Sequence, residues 1–285
     1  MSRVVYVNGR YRPHRDAVVH VEDRGFQFGD GVYEVCEIFA GRIVDERRHM
    51  ERLRRSLSEL RIRLPMPLSA LTVVLHEIVR RNRVADGIVY LQITRGVARR
   101  EHAFPSPEVA PSIVVSARRL DRSQGERLAQ GGIAIVTLPE TRWARVDIKS
   151  IALLPNVLAR QAAREQGARE AWFIDRDGLV TEGAASNAWI VTQEGKAVTR
   201  PADYAILRGI SREVVLEALG AAGILFEERA FRMEEALGAR EAFITAASLL
   251  VMPVVRIDGH AIGDGKPGPV ATTLRRAFHR HAELS

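Results

Sequence analysis

Lys149, Lys196 and Lys266 are the only lysines in a chain with 42 basic residues; the other 39 (42 − 3) are arginines. The difference is chemical, because arginine stays protonated and forms no Schiff base, whereas lysine can. Lys196 lies in a Glu-Gly-Lys turn and Lys266 in Gly-Lys-Pro-Gly, contexts that read as exposed loops. Lys149 lies in Val146-Asp-Ile-Lys-Ser-Ile-Ala-Leu-Leu154, where a β segment gives way to a helix. An amine entering apolar surroundings loses its proton more readily and can act as a nucleophile. A salt bridge to Asp147 is the other reading, and the context leaves the two even. In Thr181-Glu-Gly-Ala-Ala-Ser-Asn187 a carboxylate ends an apolar strand and small residues follow. Small side chains let a flat ligand approach the backbone, and Glu182 could pair with a ring nitrogen; an exposed turn is the plainer reading of this segment alone. Leu207-Arg-Gly-Ile-Ser211 can cradle a phosphate on helix N–H groups, or simply place Ser as an N-cap. Arg100-Glu-His102 can hold a carboxylate, against the default of a basic loop.

The elements that must position these groups follow from periodicity. Asn8-Gly9 predicts a hairpin over residues 3–12, followed by strands at 17–21 and 32–39. Met50, Leu53, Leu57 and Leu60 recur at helical spacing. A second helix is expected over 69–84 with Ser69 as its cap, then strands at 88–94 and 112–116. Polar Asp121-Arg-Ser-Gln-Gly-Glu126 reads as a connection. The expected organisation is a small α+β domain over 1–120, a linker at 121–126 and a larger domain over 127–285. Strands beyond the linker are expected at 133–138, 171–174, 179–181, 188–192, 224–227, 242–245 and 254–257. Helices are expected near 154–166, 211–220 and from 270 onward.

Composition narrows the class. With 285 residues and 46% hydrophobic content, the chain can build a substantial core. The single cysteine, Cys36, excludes an internal disulfide framework and a multi-cysteine metal site. The N-terminus does not read as a signal peptide and no apolar run suits a membrane span, so a cytoplasmic protein is expected. A net charge of +7 raises the alternative of an arginine-rich nucleic-acid binder. Seven arginines lie between residues 47 and 63, but interleaved acids favour a solvated helix face. There is no Walker A pattern, and Gly29-Asp-Gly31 does not complete a Gly-x-Gly-x-x-Gly fingerprint.

Taken together, the segments resemble the fold-type IV pyridoxal 5′-phosphate (PLP) enzymes, in particular the D-amino acid aminotransferase branch. The resemblance runs through Glu22-Asp-Arg-Gly-Phe-Gln-Phe-Gly-Asp-Gly-Val-Tyr-Glu34, Arg100-x-His102, Asp147-Ile-Lys-Ser150, Thr181-Glu-Gly183 with Ser186-Asn187, and Leu207-x-Gly-Ile-Ser-Arg212. It implies a smaller N-terminal α+β domain and a larger α/β barrel-like domain. It implies that Lys149 bonds to the cofactor aldehyde and moves the substrate proton, and that Glu182 keeps the pyridine nitrogen protonated. Arg52, Gly209, Ile210, Ser211 and Ala247 would surround the phosphate, and Leu207 the ring. Tyr33, Arg100 and His102 would hold the substrate carboxylate, the last two from the partner of a homodimer. Transamination between a D-amino acid and a 2-oxo acid follows. A branched-chain L-amino acid aminotransferase and an aminodeoxychorismate lyase share the fold and are the alternatives. Thr245-Ala-Ala-Ser248 and Ala184-Ala185 depart from the family, which usually carries hydroxyls there. Each hydrogen bond lost to a charged group removes about 1.5–3 kcal/mol. A looser hold on the cofactor is therefore expected, which equilibrium dialysis measures.

Overall fold

A computed structural model describes residues 3–285. It divides into two compact units. The first combines the chain up to Asp121 with Ile148–Ala152 and Glu283–Ser285; the second combines Arg122–Asp147 with Leu153–Ala282.

In the first unit, β1 (Val4–Val7) and β2 (Arg10–Pro13) form the expected hairpin. Asn8 and Gly9 take φ of 45° and 87°, the left-handed values that a two-residue hairpin turn demands. A short helix α1 (Arg24–Phe28) precedes β3 (Gly31–Phe39) and β4 (Arg42–Ile43). Helices α2 (Glu46–Glu59) and α3 (Leu68–Asn82) lead to β5 (Gly87–Thr94) and β6 (Ser112–Arg119). The six strands make an antiparallel sheet in the order β2-β1-β6-β5-β3-β4. Met50, Leu53 and Leu57 of α2 join Leu71, Leu75 and Ile78 of α3 over Val32, Cys36, Ile38 and Leu91 in one core.

Two expectations for this unit need correction. Residues 17–21 form no strand, and Val18, Val19 and Val21 are exposed; a 3-10 turn at His14–Asp16 diverts the chain after β2. Ser69 lies inside α3, whose cap position is taken by Pro67.

Residues 283–285 return to this unit as an extra edge. Ile43 and Ser285 exchange backbone hydrogen bonds at 3.0 Å each way; Asp45 N–H donates to Glu283 O at 2.8 Å, and Glu283 N–H to the Asp45 side-chain Oδ1 at 3.0 Å.

The second unit begins with α4 (Arg122–Gly131), so the stretch expected as a linker is helical. Leu128 and Ala129 pack into the core of this unit, and Glu126 accepts from Arg275 at 2.9 Å. Then follow β7 (Ile133–Pro139), α5 (Leu154–Glu165), β8 (Glu170–Ile174), β9 (Val180–Gly183), β10 (Asn187–Val191) and β11 (Ala197–Thr199). Next come α6 (Ile210–Ala221), β12 (Phe226–Glu228), α7 (Met233–Leu237), β13 (Glu241–Ala246), β14 (Leu250–Ile257), β15 (His260–Ala261) and α8 (Pro269–His281).

The main path of the nine-stranded sheet runs β12-β11-β10-β13-β14-β7-β8-β9. β10 is third and β9 eighth in that order, yet only residues 184–186 join them. A flat sheet could not be bridged so briefly, because neighbouring strands lie about 4.8 Å apart. The sheet therefore curls into a half-barrel, filled by Trp172, Ile190, Phe231, Ile244 and Met252. The fold class is α+β, with the smaller antiparallel sheet and larger curled sheet that the resemblance implied.

Candidate active site

Lys149 is fixed by its backbone to β3. Tyr33 N–H donates to Lys149 O at 3.0 Å, and Ile151 N–H to Gly31 O at 3.0 Å. Ser56 of α2 accepts from Lys149 N–H at 3.4 Å. The half-buried ammonium lies 4.2 Å from the centre of the Tyr33 ring. The expected alternative partner, Asp147, accepts instead from Arg145 Nε at 2.9 Å.

Beside this lies a buried charge cluster. Along β3 the odd and even positions face opposite ways: Val32, Glu34, Cys36 and Ile38 are buried, while Tyr33 is half-buried. Glu34 is thus a carboxylate at an otherwise apolar inward position. It accepts from Arg52 Nε at 2.9 Å and Nη2 at 2.8 Å, and pairs with His49 Nδ1 at 2.7 Å. His49, Arg52 and Ser56 share one stripe of α2 by their i, i+3, i+7 spacing. Burial alone would raise the Glu34 carboxyl; the Arg52 guanidinium and the hydrogen bonds from Arg52 and His49 outweigh it and hold it far below the usual range. Burial also lowers the His49 imidazole, against the opposing pull of Glu34.

Both shifts have the same sign for stability. A group whose folded pKa is depressed stabilises the fold above its unfolded value, and that contribution is lost as pH falls. Unfolding followed from pH 7 downward should show stability declining first around the ordinary histidine pKa of about 6.5, then again below the carboxylate value of about 4.3. Glu34→Gln should lower stability by about 3–5 kcal/mol in urea titrations, because it withdraws the counter-ion of a buried guanidinium. A variant as stable as the parent protein at pH 7 contradicts the ion-pair account.

In the second unit the sheet curl brings β9 against the start of β10. Glu182 Oε2 accepts from Asn187 Nδ2 and from Leu207 N–H, each at 3.0 Å. Asn187 Nδ2 also donates to Leu207 O at 2.9 Å. Glu182 Oε1 accepts from Arg142 Nη1 at 2.5 Å. Arg142 is in turn held by Glu140, at 2.9 Å through Nε and 2.6 Å through Nη2. Burial alone would raise the Glu140 carboxyl, but Arg142 keeps it below its usual value.

Past Leu207 the chain enters α6, whose cap residue Gly209 makes no side-chain hydrogen bond. A Cβ at Gly209 would lie 2.0 Å from Asn187 Oδ1, so only glycine fits this approach. Ile210 and Ser211 are buried in the first turn, and Ala247 is half-buried in the turn between β13 and β14. A helix start without a side-chain cap directs N–H groups and a positive dipole end outward, which suits a phosphate. The Asn187 bonds tie this cradle to the Glu182 carboxylate within one unit. Within the second unit the buried carboxylate and the N–H cradle are of the kind that suits a pyridinium and a phosphate, and within the first Lys149 supplies an amine of the kind that an aldehyde takes, so each unit's residues suit PLP chemistry.

Arg100 and His102 are exposed in the first unit. The Arg100 guanidinium lies 5.2 Å from the Phe28 ring centre and the His102 ring 5.5 Å from it, whereas Tyr33 contacts Tyr90 and Lys149. No motif or spacing in the sequence points to a role for Glu34, His49, Glu140 or Arg142. A charged residue breaking the apolar alternation of β3 was the available signal for Glu34. Among the described residues there is no His/Cys/Asp/Glu group suited to a metal ion, and no helix is long and apolar enough to cross a membrane.

The sequence matches the model of the amino-transferase class IV family over residues 31–257. It is 39% identical to the D-alanine aminotransferase of Staphylococcus haemolyticus over 98% of both chains. It is 40% identical to that of Bacillus licheniformis, over 96% of this chain and 95% of that one. The fold matches the branched-chain amino acid aminotransferase from Escherichia coli with a TM-score of 0.89 at 23% identity, covering 98% of this chain and 94% of that one. It matches the PLP-bound form of a hypothetical aminotransferase from Mycobacterium tuberculosis with a TM-score of 0.86 at 21% identity, covering 98% of both chains. A family match across most of the chain, and relatives aligned from end to end, make this protein a member of the class IV aminotransferases, enzymes that work with PLP.

Proposed function

We propose that this aminotransferase moves an amino group between a D-amino acid and a 2-oxo acid by ping-pong kinetics. The expected donors are D-alanine and D-glutamate, and the expected acceptors 2-oxoglutarate and pyruvate. The observation that carries the reading is that relatives aligned end to end with it at 39–40% identity are D-alanine aminotransferases, whereas the branched-chain enzyme that shares the fold is 23% identical. Tyr33 and the Arg100-Glu-His102 segment add support. A homodimer, with Arg100 and His102 acting across its interface, and a cytoplasmic location belong to the same reading and rest on the resemblance.

When bound, PLP supplies an aldehyde for the amino group and a ring that accepts the electron pair released at Cα. Lys149 Nζ takes the Cα proton, and its fixed backbone limits the directions from which it can do so. Glu182, with both oxygens already oriented by Arg142, Asn187 and Leu207, holds the ring nitrogen in its protonated state. By the resemblance, Arg52 and the N–H groups of Ile210 and Ser211 would hold the phosphate, Gly209 and Ala247 would lie alongside, and Leu207 would pack on the ring. Tyr33, Arg100 and His102 hold the substrate carboxylate, which orients the Cα–H bond and selects the enantiomer.

A panel of D- and L-amino donors with 2-oxoglutarate or pyruvate tests the proposal. Turnover of D-alanine with none of L-leucine is expected. The reverse result moves the enzyme to the branched-chain reading.

A further inference from the structure

The segment Asp23-Arg-Gly-Phe-Gln-Phe-Gly-Asp30 has no part in the roles above, yet its side chains converge on one loop. Arg24 is 3% exposed, an unusual depth for a guanidinium. Its Nε donates to Asp30 Oδ2 at 2.8 Å. Its Nη1 donates to the carbonyls of Glu101 at 2.5 Å and Ala103 at 3.3 Å, and its Nη2 to that of His102 at 3.3 Å. One planar group thereby binds three consecutive peptide oxygens.

Asp30 serves a second arginine too. Arg95 donates to it through Nε at 2.8 Å and Nη2 at 3.0 Å, and lies 3.6 Å from the centre of the Phe104 ring. Two buried guanidinium groups sharing one carboxylate therefore grip residues 101–104, one by carbonyls and one by a ring. Asp23 anchors the base: it accepts from Gly25 N–H at 2.9 Å and from Thr94 Oγ1 at 3.0 Å. A Cβ at Gly25 would fall 2.2 Å from Thr94 Cγ2, so α1 lies directly on β5. Phe28, at the end of α1, is the platform under Arg100 and His102.

We infer that Arg24 is a positioning residue for substrate-carboxylate recognition: it fixes the backbone of residues 101–103, so that exposed Arg100 and His102 form a pre-set fork. The inference rests on the proposed role of those two residues as the carboxylate site. Rigidity there matters because a mobile fork must be ordered each time a substrate binds. The amino donor and the 2-oxo acceptor carry the same carboxylate, so both should depend on the clamp equally. Lysine cannot replace Arg24, since a single ammonium cannot reproduce a planar array of donors.

The test uses the PLP-loaded enzyme carrying Arg24→Lys, with Asp30→Asn as a second variant that loosens the same clamp. KM for D-alanine and for 2-oxoglutarate should rise together, by about tenfold or more given the roughly 10²-fold cost of a 1 Å misplacement. The effect on kcat should be smaller. Hydrogen exchange should quicken at residues 101–104, with cofactor affinity, read by fluorescence titration, unchanged. Unaltered exchange and unaltered KM in Arg24→Lys, while Arg100→Ala raises KM, overturn the clamp and leave the carboxylate site standing. A rise confined to one substrate, or accompanied by an equal loss of cofactor affinity, also overturns it. If Arg100→Ala and His102→Ala both leave KM unchanged, the carboxylate reading itself fails, and the inference with it.

Discussion

Lys149→Ala should fold and should lose transamination by at least about 10²–10⁴-fold, the range for removing a general acid–base group alone. Folding survives because the main chain does the anchoring: the bonds that join Lys149 and Ile151 to β3 are backbone bonds. What the side chain contributes to stability is an ammonium over the Tyr33 ring, worth about 0.5–1 kcal/mol. Lys149→Arg should be as inactive as Lys149→Ala, because a guanidinium neither surrenders its proton nor bonds to an aldehyde. Activity assays beside thermal melts separate the two effects. Borohydride reduction followed by peptide mapping should place the cofactor adduct on Lys149 in the parent protein. An adduct on Lys196 or Lys266 would falsify the assignment.

Glu182→Ala is expected to cost both activity and stability; Glu182→Gln should cost activity and, because its NH2 meets only donors on one side, a smaller share of stability. The alanine variant strips an acceptor from Arg142, Asn187 and the Leu207 N–H at once. A buried donor left unsatisfied costs about 1–3 kcal/mol, so urea midpoints should fall measurably. Glutamine can still receive hydrogen bonds through its amide oxygen but carries no charge to hold a ring cation. Its kcat should fall by about 10²–10³-fold, the scale for losing one preorganised electrostatic partner. A glutamine variant with full turnover removes Glu182 from the ring nitrogen, and with it the second anchor of the mechanism.

Much of this is legible in the residues alone. The scarcity of lysines leaves three Schiff-base candidates and context sets Lys149 apart, though with a salt bridge to Asp147 as an even alternative; helical spacing places α2 within a residue of its observed end. What the sequence hides follows from long-range pairing. Nothing local indicates that β9 and β10, with four strands between them in the sheet order, must close on each other, so the Glu182–Asn187–Leu207 network is invisible there. The valines at 18–21 mimic a strand, but no partner strand reaches them. The polar run at 121–126 resembles a connection; it is helical because Leu128 and Ala129 further along find a core and Glu126 finds Arg275. Arg24 belongs to one of the motifs that carry the resemblance, yet its role depends on carbonyls 77–79 residues away, which no spacing rule reveals.

The six-stranded unit is assembled from three stretches of chain, the last of them residues 283–285. During synthesis its helices and hairpins emerge first, but the edge that seals β4 emerges after every element of the half-barrel has left the ribosome. Maturation of the unit that carries Lys149 thus waits on residues that follow the whole half-barrel in the chain.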